Sequence, residues 1–393
     1  MSRRAASSQT SLRESNKSLV IETVQRFGGL TQVELVEATG LSAGTVSTIV
    51  KELVGAGVVE TAATIRSGRR AQQVTLSRRL GVVVAAQIGP RQLSMILGDF
   101  AGEVLAEQSM PLPFEHRVDT TLDRVALLAV DLIERIGASL PELGGIALAV
   151  PAPVDVSTGM ITVPGVMAGW NGEHLAQVMS KRLQKPVFVD QDANLAARAE
   201  LTLGAGRGLQ DILYVRASST ISSAMIIGGQ SYRGYAGTAG QIGHIQVDPQ
   251  GAICRCGSRG CLDTVVGASA LVAPLAATHG DLSLRALMQQ VAAGDQGCIR
   301  VVSDAGELIG RVLSTAYQTM NPQRIIVGGE LAEAGEYLLD PMRRQVQRGA
   351  LRNIVAPVEV VPADLGTRAE LTGTLLAAQQ HSGVADAAEE VAL

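Results

Sequence analysis

The chain has 393 residues, of which 46% are hydrophobic and 18% charged, with a net charge of −4. That length exceeds what one core serves and points to two or three domains, and the composition excludes a disordered chain. No apolar run is long enough to span a bilayer, no signal peptide opens the sequence, and only four cysteines are present, so a cytoplasmic protein without disulfides is expected.

The charge is unevenly divided. Residues 1–79 hold 11 Lys and Arg against 6 Asp and Glu, and the remainder holds 22 against 31. A basic N-terminal segment on an acidic body suggests a nucleic-acid module joined to a second function. Met1 to Ala5 reads as a frayed basic arm. Apolar residues at 19, 20, 21, 24 and 27 mark a helical face, which Gly28-Gly29 stops. Thr31 caps a short helix ended by Gly40. Ser42 caps the next, with Val46, Ile49, Val50 and Leu53 on one side. Helix, glycine-containing turn, helix is the helix-turn-helix pattern, whose second helix enters the major groove. Its outward side offers Thr45, Ser47, Thr48 and Lys51, with Ser42 at its start. These reach phosphates and base edges, but no Arg, Asn or Gln is there for bidentate base reading. Short strands at 58–60 and 73–76 then flank a loop carrying Arg66, Arg69 and Arg70, a basic wing suited to phosphates or a narrow minor groove. An amphipathic bundle with a solvated arginine loop would use the same residues. Caps, wing and charge split agree instead on a winged helix-turn-helix bound to operator DNA.

After a linker at Ser77-Arg78-Arg79 the pattern changes. Strands are expected at 81–88, 92–99 and 103–110, a helix at 122–136 and a buried strand at 145–150. A helix at 175–183 and a strand at 187–189 lead into Asp190-Gln191-Asp192-Ala193-Asn194. The order then partly repeats, with strands at 211–217, 222–227 and 230–232, a long helix at 298–320, a strand at 324–327, another near 358–361 and a helix at 370–380. This is the pattern of an internally duplicated α/β fold with a cleft between two lobes. The expected division is 1–79 for DNA binding, 80–194 with 370–381 for the first lobe, 195–369 for the second, and 382–393 for a tail.

Three of the four cysteines lie within one short stretch. Cys254, Cys256 and Cys261 follow His244 closely, a Cys₃His set whose short loops fold round one tetrahedral ion. Zn²⁺ is the expected metal. Four protein ligands leave no open position, so its role is structural. Three buried thiols beside a surface His would be the alternative. Cys298, on a helix, reads as a core residue.

Taken together the sequence resembles the ROK family of repressors, open reading frames and sugar kinases. The resemblance spans nearly the whole chain and is carried by the winged helix-turn-helix, Val163-Pro164 with Gly169-Trp170, Gln191-Asp192-Ala193-Asn194, the Gly-x-Ile-Gly-His stretch with its cysteines, and Asn321-Pro322 running to Gly328-Gly329. It implies an actin-like, duplicated two-lobe sugar-kinase fold behind the DNA-binding domain. It also implies a repressor that releases its operator when a sugar or sugar phosphate binds, and a homodimer or homotetramer matching a palindromic site. The effector site implied comprises Gln191, Asp192, Gln241, His244 and Asp263, with Asp192 matching the residue that acts as general base in the kinases. Three positions depart from the family: Gln241 stands for Glu, Asp263 for Glu, and Gly165 for Asn. An amide-bearing or phosphorylated sugar therefore fits the expectation better than plain glucose. Two phosphate loops are altered as well. Gln87-Ile88-Gly89-Pro90-Arg91 replaces Asp-x-Gly-Gly-Thr, and Thr220-Ile221-Ser222-Ser223-Ala224 holds no glycine where a glycine-rich loop is usual. Backbone amides cradle phosphates where glycines let the chain come close, so no phosphotransfer is expected. A sugar kinase, and a regulator docked by a protein partner, are the rival readings.

Overall fold

The computed structural model describes residues 3–66, 69–113, 115–163, 166–167, 169–350 and 357–382. Pro164 and Gly165, singled out by the resemblance, lie outside them, as do Ser67, Gly68 and the tail beyond residue 382. Two units divide the chain. One comprises Met1–Ala149, His174–Val189 and Thr374–Leu393, the other Val150–Glu173 and Asp190–Gly373.

The first unit opens with helices α1 (Arg3–Phe27), α2 (Gln32–Thr39) and α3 (Ala43–Gly55). The expected frayed arm is a correction: α1 already begins at Arg3. Its first turns are rich in Arg, Ala, Ser, Gln and Glu, which tolerate a helix but leave no apolar periodicity to read. Thr31 and Glu34 form a reciprocal cap on α2, the Thr31 amide donating to Glu34 Oε2 at 2.7 Å and the Glu34 amide to Thr31 Oγ1 at 3.3 Å. Ser42 Oγ accepts from the Thr45 amide at 3.1 Å and starts α3. Val20, Ile21, Val24, Leu35, Val46, Ile49, Val50 and Leu53 are buried, so the three helices share one core. A three-stranded sheet follows, with β1 (Leu30–Thr31) and β2 (Val59–Arg66) both paired to β3 (Arg69–Leu76). These strands are longer than the sequence pattern suggested. Gln25 is buried and donates to the carbonyls of Gln379 (2.6 Å) and Gln380 (3.2 Å), while Gln379 Nε2 donates to the Asp99 carbonyl (2.7 Å).

The same unit holds a five-stranded sheet made of β4 (Val82–Ile88), β5 (Gln92–Asp99), β6 (Val104–Pro111), β7 (Leu143–Val150) and β8 (Val187–Gln191). Its order is β6-β5-β4-β7-β8, with an antiparallel meander and β7 parallel to β4. Helices α4 (Val118–Arg135) and α5 (Leu175–Leu183) complete it.

The second unit repeats this plan. After α6 (Asp192–Leu203) come β9 (Ile212–Ala217), β10 (Ile221–Ile227), β11 (Gln230–Tyr232), α7 (Gln296–Met320), β12 (Arg324–Gly328), α8 (Glu336–Gly349), β13 (Glu359–Pro362) and the start of α9 (Ala369–Gln380), which from Thr374 belongs to the first unit. The strand order is β11-β10-β9-β12-β13, again an antiparallel meander with parallel strands beyond its first member. The duplication expected from sequence is therefore a duplication of topology. Strand alternation sets the two faces. Leu213 and Val215 belong to the large core that includes Ile309, Leu313, Leu338 and Met342, while Ile212 and Tyr214 pack with Ala193, Ala196 and Ala197 of α6. The sequence reading passed over α8 because Pro341 interrupts it. Its buried face was nonetheless legible at Leu338, Leu339, Met342 and Val346.

Helices α7 and α8 approach closely at two glycines one turn apart. A Cβ on Gly306 would lie 2.5 Å from the Leu338 carbonyl oxygen, and one on Gly310 would lie 2.8 Å from the Met342 Cα. Both obstacles are backbone and cannot swing aside. Gly310→Ala should therefore destabilise the protein by about 1–3 kcal/mol despite a gain of about 1 kcal/mol in helix propensity. Denaturant unfolding of the two proteins checks the sign.

Candidate effector pocket and metal centre

Three groups of side chains stand out, one in the first unit and two in the second. In the first, Ser42, Thr45 and Thr48 of the α3 region flank an open hollow together with Arg13 and Asn16 of α1. Thr48 and Lys51 are exposed, and Thr45 and Ser47 half-exposed. Arg13 forms an ion pair with Glu52 on α3, and Lys17 lies 3.4 Å from the same carboxylate. Sequence reasoning missed Arg13 and Asn16 because it started α1 too late. Arg66 and Arg69 face each other at the ends of β2 and β3 and Arg70 is exposed. The side chains of Arg66 and Arg69 lie outside the described residues.

In the second unit, Gly240-Gln241-Ile242-Gly243-His244 lies against β10. Gly240 has φ +88°, and a Cβ there would meet the Ser223 carbonyl oxygen at 2.0 Å. Only glycine allows this approach. The Gly240 carbonyl then accepts from the Ser223 amide (2.7 Å) and hydroxyl (3.1 Å). This pins the loop so that His244 meets the cysteines. His244 Nδ1 lies 3.5 Å from Cys254 Sγ, Cys256 Sγ lies 3.7 Å from Cys261 Sγ, and all four donor atoms fall within 4.8 Å of one another. Four donors round one tetrahedral ion are separated by about 3.4–3.8 Å, so this set could hold a metal. Burial lowers the pKa of His244 and so favours the neutral imidazole that ligates. Cys298 is fully buried on α7, as expected of a core residue.

Beside this set lies a small cavity of about 10 Å³. Its lining includes Gln191, Asp192, Gln241, His244 and Asp263, so all five expected effector residues come together, joined by Arg255, Thr220, Ile221 and Ser222. Gln241 Nε2 donates to Gln191 Oε1 at 3.0 Å across it. Asp263 is partly committed: its Oδ1 accepts from the Ile221 amide at 2.7 Å, and Arg255 lies 3.8 Å from Oδ2. Burial raises the pKa of Asp263.

Asp192, the first residue of α6, is almost wholly buried. Its Oδ2 lies 3.2 Å from Arg216 Nε, and Arg216 also donates from Nε to Glu370 Oε1 at 2.9 Å. Glu370 is buried too. One guanidinium thus sits between two buried carboxylates. Burial pushes the Asp192 carboxyl up to about 6, with Arg216 pulling the other way. Asp190 is held separately, by Arg233 at 2.6 Å and by Asn194 at 2.8 Å. Sequence reasoning missed Arg216 and Glu370. The available signal was an arginine inside the apolar run Ile212-Leu213-Tyr214-Val215-Arg216-Ala217, since a charge in a buried strand needs a buried partner.

The altered phosphate loops are closed by their own hydrogen bonds. The Gly89 amide donates to the Gln92 carbonyl at 2.8 Å, and His116 Nε2 lies 3.2 Å from the Gly89 carbonyl oxygen. In the second loop the Ile221 amide is held by Asp263 and the Ser223 amide by Gly240.

The ROK family model matches residues 83–381, and the MarR family model matches residues 15–70. The chain is 26% identical over 371 residues to the xylose repressor of Bacillus subtilis (strain 168), covering 93% of this chain and 95% of the relative. A solved ROK family transcriptional regulator, a homologue of the E. coli MLC protein, superposes with a TM-score of 0.77 at 21% identity, over 96% of this chain and 99% of that one. A ROK family glucokinase from Streptomyces griseus, solved with glucose and AMPPNP, gives 0.68 at 26% identity over 76% of this chain and all of the glucokinase. The architecture is thus the sugar-kinase-like ROK fold preceded by a winged helix-turn-helix.

Asp192 makes stability depend on pH in an unusual direction. Its folded pKa of about 6 lies above the ordinary 3.8, so the folded state holds the proton more firmly than the unfolded chain. Its contribution to stability is full at low pH and is lost as the pH rises from about 4 to about 6. The stability of the protein relative to its Asp192→Asn variant should therefore fall by about 2–3 kcal/mol across that range. Arg216→Met should cost about 3–5 kcal/mol at pH 7, because two buried carboxylates lose their counter-charge. Urea titrations at pH 4, 5, 6 and 7 measure both.

Proposed function

The chain belongs to the ROK family, and on that premise we propose that it is a sugar-responsive DNA-binding transcriptional regulator, a repressor released from its operator by a sugar or sugar phosphate. The observation that carries this reading is the pairing, in one chain, of an accessible capped helix and wing with a polar pocket whose acid is engaged by Arg216. The xylose repressor and the solved ROK regulator match over 93% and 96% of the chain, whereas the glucokinase matches over 76%.

DNA would be met by α3 and the wing: Ser42, Thr45, Ser47, Thr48, Lys51, Arg66, Arg69 and Arg70, with Arg13 and Asn16 alongside. Gln191, Asp192, Gln241, His244 and Asp263 would take the effector, since amides and carboxylates match paired sugar hydroxyls or an amide. A cavity of about 10 Å³ is far smaller than a sugar, so its wall would have to open for one to enter. Zn²⁺ is the metal that three thiolates and an imidazole select, and a closed four-ligand set gives it a structural role. It would tie the loop bearing Gln241 and His244 to the turn bearing Asp263.

The protein would not be an enzyme. A phosphotransferase needs free amides at its phosphate loops and an unencumbered base. Here the Gly89, Ile221 and Ser223 amides have internal partners, and Asp192 faces Arg216. A symmetric homo-oligomer on a palindromic site would suit this reading, and among the described residues no helix is long and apolar enough to cross a membrane.

A mobility shift on the DNA upstream of the protein's own gene tests this reading. Retardation is expected, with release by at least one member of a panel of sugars and sugar phosphates; no retardation, or ATP consumption with any of those sugars, would overturn it. Lys51→Ala should weaken DNA binding by about tenfold and lower the salt dependence by about one phosphate contact. Chelation of the metal should abolish release by the sugar; unchanged release would exclude the structural role assigned to zinc.

A further inference from the structure

A second cluster of metal-ligating side chains lies away from the pocket, at the start of α7. His279 ends the short helix Ala276–His279, Asp295 is the cap of α7, and Cys298 lies in its first turn. Their donor atoms lie within 4.8 Å of one another. His279 Nε2 is 3.2 Å from Asp295 Oδ2 and 4.0 Å from Cys298 Sγ, and Cys298 is fully buried.

The surrounding hydrogen bonds decide which atoms face inward. Asp295 Oδ1 accepts from the Cys298 amide at 2.8 Å, which turns Oδ2 toward His279. On the other side Thr278 Oγ1 contacts His279 Nδ1 at 2.7 Å and the Leu275 carbonyl oxygen at 3.1 Å. A hydroxyl has one proton. If that proton goes to Leu275, the only arrangement satisfying both contacts has the Nδ1 proton donated to Thr278. Nε2, facing a carboxylate oxygen and a sulfur, then carries either a second proton donated to Asp295 or the lone pair that ligates a metal. The three atoms converge on one positive charge, an imidazolium proton or a metal ion. A ligating imidazole whose other nitrogen is fixed by a hydrogen bond is the usual outer support of a metal site.

We propose that His279, Asp295 and Cys298 form a second divalent-metal site, of the mixed nitrogen, oxygen and sulfur type that takes Zn²⁺. Three protein ligands leave one position for water, and the site is weaker than the Cys₃His set. Loading it requires the Cys298 proton to leave, so the metal binds more tightly as the pH rises. The site would fasten the turn after residue 279 to the first turn of α7, and it stands whether or not the chain is a regulator.

The test is calorimetric titration of Zn²⁺ into the full-length protein with its tightly held metal already in place. One further equivalent is expected for the wild type at pH 8, and none for His279→Gln or Asp295→Asn. Asn preserves the helix cap, so the second variant keeps its fold. Co²⁺ titrated in the same way should add a thiolate-to-metal absorption band in the wild type that both variants lack. If the wild type takes up no further equivalent, a proton on Nε2 holds His279 to Asp295 and the cluster is a hydrogen-bonded cap, which overturns the proposal. Equal uptake by the wild type and both variants overturns it as well.

Discussion

The second unit is organised round one buried cation. Arg216 points from the central strand β9 between Asp192, where α6 begins, and Glu370, at the start of α9. These residues lie far apart in sequence, and all three are nearly sealed from water. Removing Arg216 would leave two carboxylates unpaired in a medium that cannot solvate them, a cost of several kcal/mol, whereas removing one carboxylate leaves Arg216 paired with the other. The triad therefore fixes where α6 and α9 start relative to the sheet. It also determines what Asp192 can do. A carboxylate beside a guanidinium, held near a pKa of 6 by burial, is a hydrogen-bond acceptor with a settled geometry.

The pocket wall is cross-tied by shorter links. Gly240 locks onto Ser223, Asp263 takes the Ile221 amide, and the Cys₃His set gathers His244 and the 254–261 loop. Each link uses a group that phosphate binding or sugar chemistry would otherwise occupy. The backbone amides of Gly89, Ile221 and Ser223 all have partners within the protein, and Asp263 supplies one of them.

Much of this was legible in the sequence. Apolar alternation gave both meanders within a few residues, because buried strands must alternate or run apolar. Thr31, Ser42 and the glycines marked helix ends, because capping chemistry is local. The Cys₃His spacing was readable for the same reason. What escaped depends on contacts between distant segments. Polar α1 has no apolar face over its first turns, Pro341 disguises α8, and α6 carries no expectation because its first residues, Asp192 to Asn194, read as a site motif. Arg216 and Glu370 lie 154 positions apart, and nothing local announces their pairing.

The relative strengths of these links suggest how the pocket could open. A net neutral hydrogen bond such as Gln241–Gln191 contributes about 0.5–1.5 kcal/mol. The Asp263–Ile221 bond, with a charged acceptor, contributes about 1.5–3 kcal/mol. Breaking the Arg216 triad costs more than either. The amide–amide bond at Gln241 is therefore the weakest of these links, and it can part with the triad and the Cys₃His loop left in place. Gln241, one of the three positions at which the resemblance marks a departure from the family, is then also the most easily displaced part of the wall. Its neutral side chain makes this possible. A glutamate at 241 beside Asp192 and Asp263 would face two other carboxylates and could not donate to Gln191 at all.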